Sequence, residues 1–259
     1  MRTTMEAIKE HRDYVLEHYP LEQLLGIFLY GSQNYGISTE TSDVDTKAVL
    51  IPTIEDLCLR QPISRELHLP NNEHCEVKDI RELAKMFKKQ NINFIEILYT
   101  DYCWINPKYN SIWREYFVKN REYISHMNPH YTIMSITGQA IHTLKHNKTD
   151  GKNFANGLRL FHFLTSYLED GMPYDFCLDM NYQGRGIKEE ILAYKKGKIQ
   201  VNEKETDKLI KKFYRLQDVA QTYSNEPDNV ADKMLDKGVI ALITNEKINY
   251  NFYYERKDN

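Results

Sequence analysis

GIFLYGSQNYGISTETSDVDTKAVLIP, running from Gly26 to Pro52, sets two apolar runs on either side of a polar loop. The first run is too short for a helix, rich in strand formers, and stops at Gly31-Ser32, so it reads as a buried strand. The loop from Gln33 to Ser42 carries Gly36 with several Ser, Thr and Asn residues, and a helical turn is expected to begin near Ser32. The second run, Val44 to Pro52, alternates in polarity and ends in proline, which suits a strand beside the first. Side chains alternate between the faces of a strand, so Asp43 and Asp45 are expected on one side. Two carboxylates placed so repel each other unless a cation lies between them. Hard divalent ions, Mg²⁺ (or Mn²⁺), are held by such a pair together with substrate phosphates. The plainer alternative is that Asp43 ends a loop and Asp45 is a solvated strand residue.

The upstream end of the loop shifts that balance. A strand that stops at Gly31-Ser32, with a helix starting there, offers backbone N–H groups and a hydroxyl to an anion. Glycine lets the backbone approach a phosphate closely, and Ser32 adds a donor. A phosphate cradle about a dozen residues before a carboxylate pair is the combination that phosphoryl or nucleotidyl transfer requires. No Gly-Lys-Ser or Gly-Lys-Thr occurs, so this is not a Walker loop.

Outward from the loop, residues 3 to 19 read as a helix with Met5, Ile8, Val15 and Tyr19 at helical spacing, closed by Pro20. TIEDLCL reads as a short helix capped by Thr53. RELHLPNNEHCEVKDI reads as two short strands around Pro70-Asn71-Asn72, followed by a helix from Asp79 to Gln90. This order of elements suggests an α/β or α+β core of roughly 110 residues. The second half is helical. One helix carries Ile133, Ile136, Ala140 and Leu144, a second Phe154, Leu158, Phe161, Thr165 and Leu168, and a third Leu209, Phe213, Leu216 and Ala220. A fourth is expected from Pro227 to about Thr244. The link between halves falls within 105–130, where Pro107, Asn110, Asn128 and Pro129 break periodicity, and Tyr250, Phe252 and Tyr254 suit a small edge strand.

The net charge of −3 does not advertise a nucleic-acid binder, and the Lys85–Lys89 and Lys208–Lys212 runs read as solvated helix faces. Tyrosine is abundant, 19 against 10 phenylalanines, which fits wet-faced helices or platforms for bases. The four cysteines, Cys58, Cys75, Cys103 and Cys177, include no Cys-x-x-Cys pair and suggest neither zinc nor a disulfide framework. No apolar run approaches the roughly 20 residues needed to span a bilayer. The first residues mix charges without the apolar centre of a signal peptide, so no membrane association and a cytoplasmic location are expected.

Gly31-Ser32, the loop, and Asp43-Val44-Asp45 together resemble the signature of the DNA polymerase beta-like nucleotidyltransferase superfamily. The string YGSQNYGISTETSDVD is closer still to the RNA-ligase-associated predicted nucleotidyltransferases of bacteria and phages. NINFIEILY (Asn91 to Tyr99) is similar to that group's NPN…E-L segment, and KNFANGLRL (Lys152 to Leu160) to a later one, although Asn156 stands where the group often has His. The likeness is strong at the signature and loose beyond it. It implies an α+β fold, with a small mixed-sheet nucleotidyltransferase core over residues 1–118 and a helical domain over 119–259. It further implies a third carboxylate on a later strand. Glu76 is the candidate, with Asp79 as the alternative and His74 read as surface. The superfamily's helical domain commonly lends basic groups to the triphosphate. Lys152, Asn156 and Arg159 share one helical arc, opposite Phe154, Leu158, Phe161 and Thr165, so Lys152 and Arg159 become nucleotide-binding candidates; Phe163 on the same arc fits poorly. Lys47 shares the strand face of Asp45 and is placed to neutralise phosphate or pair with a carboxylate, while Tyr30 and Tyr35 flank the loop.

The expected activity is metal-dependent transfer of a nucleoside monophosphate from an NTP to an acceptor hydroxyl. Gly31 and Ser32 would bind phosphates; Asp43, Asp45 and Glu76 would hold metal. RNA ends, a protein hydroxyl, a small molecule such as an aminoglycoside, or a second nucleotide all suit this core as acceptors. A nucleotide-binding or regulatory module without turnover is the alternative class.

Overall fold

The structure, a computed structural model, describes residues 2–246 apart from Thr41, Asp170, Gln183 and Arg185. The edge strand expected around Tyr250, Phe252 and Tyr254 lies outside the described residues. The chain is α+β. Helix α1 (Thr4–Leu16) starts at a capping box between Thr3 and Glu6 and leads into strands β1 (Leu24–Tyr30) and β2 (Asp45–Leu50). Helix α2 (Ile54–Cys58), capped by Thr53, precedes the hairpin β3 (Ser64–His68) and β4 (His74–Asp79). Asp79 accepts from the N–H groups of Arg81 and Glu82 as the N-cap of α3 (Ile80–Lys88). The short α4 (Ile92–Ile95) and a 3₁₀ turn over Glu96–Leu98 lead to β5 (Cys103–Ile105).

The described sheet has five strands in the order β3-β4-β2-β1-β5 and is mixed. The β2–β4 pair is parallel and the others antiparallel. Alternation along β2 divides its residues between two cores. Ala48 and Leu50, with Val44 just before the strand, belong to the core with Ala7, Ile8 and Val15 of α1, whereas Val49 joins the core shared with the helices.

Pro107 and Pro129, expected as breakers, begin helices instead. Asn106 and Asn128 each cap a helix with proline at its first turn, α5 (Pro107–Trp113) and α7 (Pro129–His146), with α6 (Arg121–Ser125) between. There follow α8 (Gly151–Tyr167), α9 (Tyr174–Leu178), α10 (Ile187–Lys195), α11 (Glu203–Ala220) and α12 (Asn229–Thr244). Packing does not break at residue 118. One apolar core runs from Phe28 and Phe87 through Trp113 and Phe163 to Leu242. Helix α12 returns against α3 and α5, and Gly238 lets it approach closely, since a Cβ there would meet Phe117 at 2.8 Å. No described helix is long and apolar enough to cross a membrane. All four cysteines are free thiols.

Candidate active site

Asp45 is the first residue of β2, and Asp43 lies two residues earlier, in the loop. Both line one cleft of about 370 Å³, within the usual range for small-molecule sites. Gly31, Ser32, Lys152 and Arg159 line it too, with Tyr30, Tyr35, Asn156 and Lys195. Six of the seven expected site residues therefore converge, although the loop and α8 are about 120 residues apart in sequence.

No helix starts at Ser32; residues 32–36 form hydrogen-bonded turns, with Asn34 N–H donating to the Gly31 carbonyl at 3.0 Å. The Gly31 N–H is also engaged, donating to Glu96 Oε2 at 3.1 Å. Gly31 therefore shapes the site by conformation. Its φ of +88° is strained for any L-residue with a side chain, and a Cβ there would lie 3.7 Å from Asp45 Oδ2.

Glu96 supports the site from behind the cleft lining; the sequence reading quoted its segment, NINFIEILY, but gave the residue no role. Only 1% exposed, it also accepts from Tyr35 Oη at 2.7 Å and Asn34 Nδ2 at 3.3 Å. Burial raises its proton affinity, against the pull of those donors and Arg159. One buried carboxylate thus anchors the loop at three points. The signal was a lone acid inside Phe94-Ile95-Glu96-Ile97-Leu98, since an acid among apolar neighbours needs partners.

Lys195 was also missed. Its ammonium donates to the Ile37 carbonyl at 3.0 Å and lies 3.4 Å from Ser42 Oγ, tying the loop to α10. Burial lowers its pKa, and Lys152 and Arg159 lower it further. The three cations of the cleft repel one another in the way an anion would relieve.

Arg159 is 3% exposed, with its guanidinium 3.9 Å from the Tyr35 ring centre. Nε and Nη2 donate to Asn156 Oδ1 at 3.2 and 3.0 Å, while Nη1 is buried with no protein partner. Such an orphaned charged donor is costly unless a ligand completes it. In the same cleft, burial raises the pKa of Asp45, and Asp43 raises it further. A pair of oxygen donors crowded into one cleft fits Mg²⁺, which takes one or two protein carboxylates and completes its shell with phosphate and water.

Glu76 is not among the residues that line the cleft. The β2–β4 register sets it opposite Lys47, whose ammonium donates to it at 2.5 Å, with Lys78 at 3.1 Å. Burial would raise the Glu76 pKa, but the two lysines outweigh it and hold it low. The alternative, Asp79, is fully buried as a helix cap, bonded to Arg81. Neither acid adds a third carboxylate to the cleft. Lys47 is 3% exposed, its ammonium 3.8 Å from the Tyr30 ring centre and 3.9 Å from that of Phe94. It answers Glu76 within the sheet.

No known family model matches the chain, and no curated protein matches it.

Proposed function

We propose that the protein is a metal-dependent nucleotidyltransferase with a polymerase beta-like core. The observation that carries the reading is the convergence of Asp43 and Asp45 with Lys152, Arg159 and Lys195 on one cleft. Mg²⁺ held by the two aspartates would polarise the phosphates and stabilise the charge that develops on them. Arg159 Nη1 and the two lysines bind the β- and γ-phosphates, and Ser32 donates its hydroxyl. Tyr35 holds Arg159 in place and Glu96 holds Tyr35, so the cationic wall is pre-organised. The acceptor oxygen bonds to the α-phosphorus, the bond to the bridging oxygen of the β-phosphate breaks, and pyrophosphate leaves. The acceptor proton passes to solvent. An RNA end is the acceptor favoured by the resemblance, although a net charge of −3 argues for a small footprint.

The isolation of Glu76 supports a second reading, a module that binds nucleotide without turning it over. Incubation of the protein with each labelled NTP, Mg²⁺ or Mn²⁺, and an RNA pool separates the two. Turnover releases pyrophosphate and labels the acceptor, and Asp45→Asn abolishes both. Tight NTP binding with no pyrophosphate in any combination leaves the binding module.

A further inference from the structure

We propose that the sheet carries a second metal site, for a borderline divalent ion such as Zn²⁺, formed by Glu66, His68 and His74 on the β3–β4 hairpin. The hairpin register sets His68 directly opposite His74, and Glu66 lies two residues from His68, hence on the same face. One ligand atom from each of the three residues lies within 4.8 Å of the others. The two imidazole rings meet edge to face at 4.7 Å, and His74 Nδ1 is 3.1 Å from Glu66 Oε1. Two imidazoles and a carboxylate with one position left open are a zinc donor set. Mg²⁺ prefers oxygen ligands and is a poor fit.

The scaffold beneath these side chains is fixed. Across the turn Leu69 N–H donates to the Glu73 carbonyl at 2.9 Å, and Asn71 bonds to Glu73 twice. Glu73 is in turn held by Arg2 and by the fully buried His11. The neighbouring acid, Glu76, is already neutralised by Lys47 and Lys78 and does not compete for the ion. Glu66 and His68 are exposed and His74 half-buried, so an ion from solvent has direct access.

The position matters for the cleft. Thr46 pairs with Cys75, so the preceding residues, Asp45 and His74, are lateral neighbours on adjacent strands. An ion on His74 would put positive charge beside the acidic wall of the cleft. The inference rests on the hairpin geometry and holds whatever reaction the cleft performs.

The test is calorimetric titration of the metal-stripped full chain with ZnCl₂, in an excess of MgCl₂ that saturates the oxygen-donor site. One equivalent is expected to bind, with a dissociation constant on the order of micromolar. His68→Ala and His74→Ala should each weaken it by about tenfold or more. Asp45→Asn, which removes a neighbouring charge but no ligand, should retain stoichiometric binding and weaken it far less than either histidine substitution. Zn²⁺ should also raise the melting temperature of the wild type but not that of His68→Ala, a substitution at an exposed position. Absence of stoichiometric binding, retention of it in both histidine variants, or its loss in Asp45→Asn would each overturn the assignment.

Discussion

The Val44 backbone N–H, between the two cleft aspartates, donates to Glu73 Oε1 at 3.2 Å. Glu73 also accepts from Arg2 at 2.7 Å and pairs with His11 Nε2 at 3.0 Å, while His11 Nδ1 meets the Thr46 hydroxyl at 2.7 Å. A single acid thereby holds the backbone between Asp43 and Asp45, just before β2 begins. Burial would raise its pKa, but hydrogen bonds from Arg2, His11, Asn71 and Val44 outweigh this and hold it at about 2, against an ordinary 4.5. A depressed carboxylate contributes stability in full above its unfolded pKa and loses it as pH falls through the folded one. Melting temperatures followed from pH 6 downward should therefore fall most between about pH 4.5 and pH 2. Glu73→Gln should lower the plateau and flatten that decline relative to wild type. Parallel curves for the two proteins would show that Glu73 is not held as described.

Helix α8 shows what periodicity reads and what it misses. The sequence sets Lys152, Asn156 and Arg159 on one arc opposite Phe154, Leu158, Phe161 and Thr165. In the structure, Leu158 and Phe161 are only partly buried, whereas Arg159 and Phe163 are buried. Phe163, the residue that fitted the amphipathic pattern poorly, marked the second buried face. A helix packed on two sides has no single apolar stripe. The two cations of this helix differ in burial, Lys152 being exposed and Arg159 buried, so their contributions to stability should differ. Lys152→Ala should change unfolding free energy by less than about 0.5 kcal/mol. Arg159→Ala, which strips Tyr35 and Asn156 of their partner, should cost about 1–3 kcal/mol. Urea denaturation of the two variants measures this, and equal stability would return Arg159 to the surface. Both should weaken NTP binding, and Arg159→Lys, which keeps charge but loses the planar fork, should restore it only in part.

Across the whole molecule, the elements nearest the signature were the most legible. β1, β2, the β3–β4 hairpin and α3 fall where alternation, turn chemistry and caps put them. α5, α6, α9 and α10 were not foreseen; α5, α6 and α9 have too few turns for a period to show, and α10, as long as α3, was not read as a helix. Asp43 reached the cleft by a different route from the one expected, from the loop before β2 and not from the strand itself. Lys195 had no local signal. Its sequence, Tyr194-Lys195-Lys196, reads as solvated, and only packing brings it about 150 residues back to Ile37 and Ser42. Glu76 was a candidate because the resemblance implies a third carboxylate on a later strand, but its neighbour across the ladder was invisible without the register, and that neighbour is Lys47.

The central claim is that Asp43 and Asp45 bring a divalent ion to a nucleoside triphosphate held by the cationic wall. It is tested most directly by the dissociation constant of an NTP, with and without Mg²⁺, for the wild type and for Asp43→Asn/Asp45→Asn. The wild type should bind about tenfold or more tightly with Mg²⁺, a gain the double variant loses. Without metal, the variant should bind the NTP at least as tightly as wild type, because two carboxylates no longer repel the triphosphate. A variant that keeps the full Mg²⁺ gain would contradict the account.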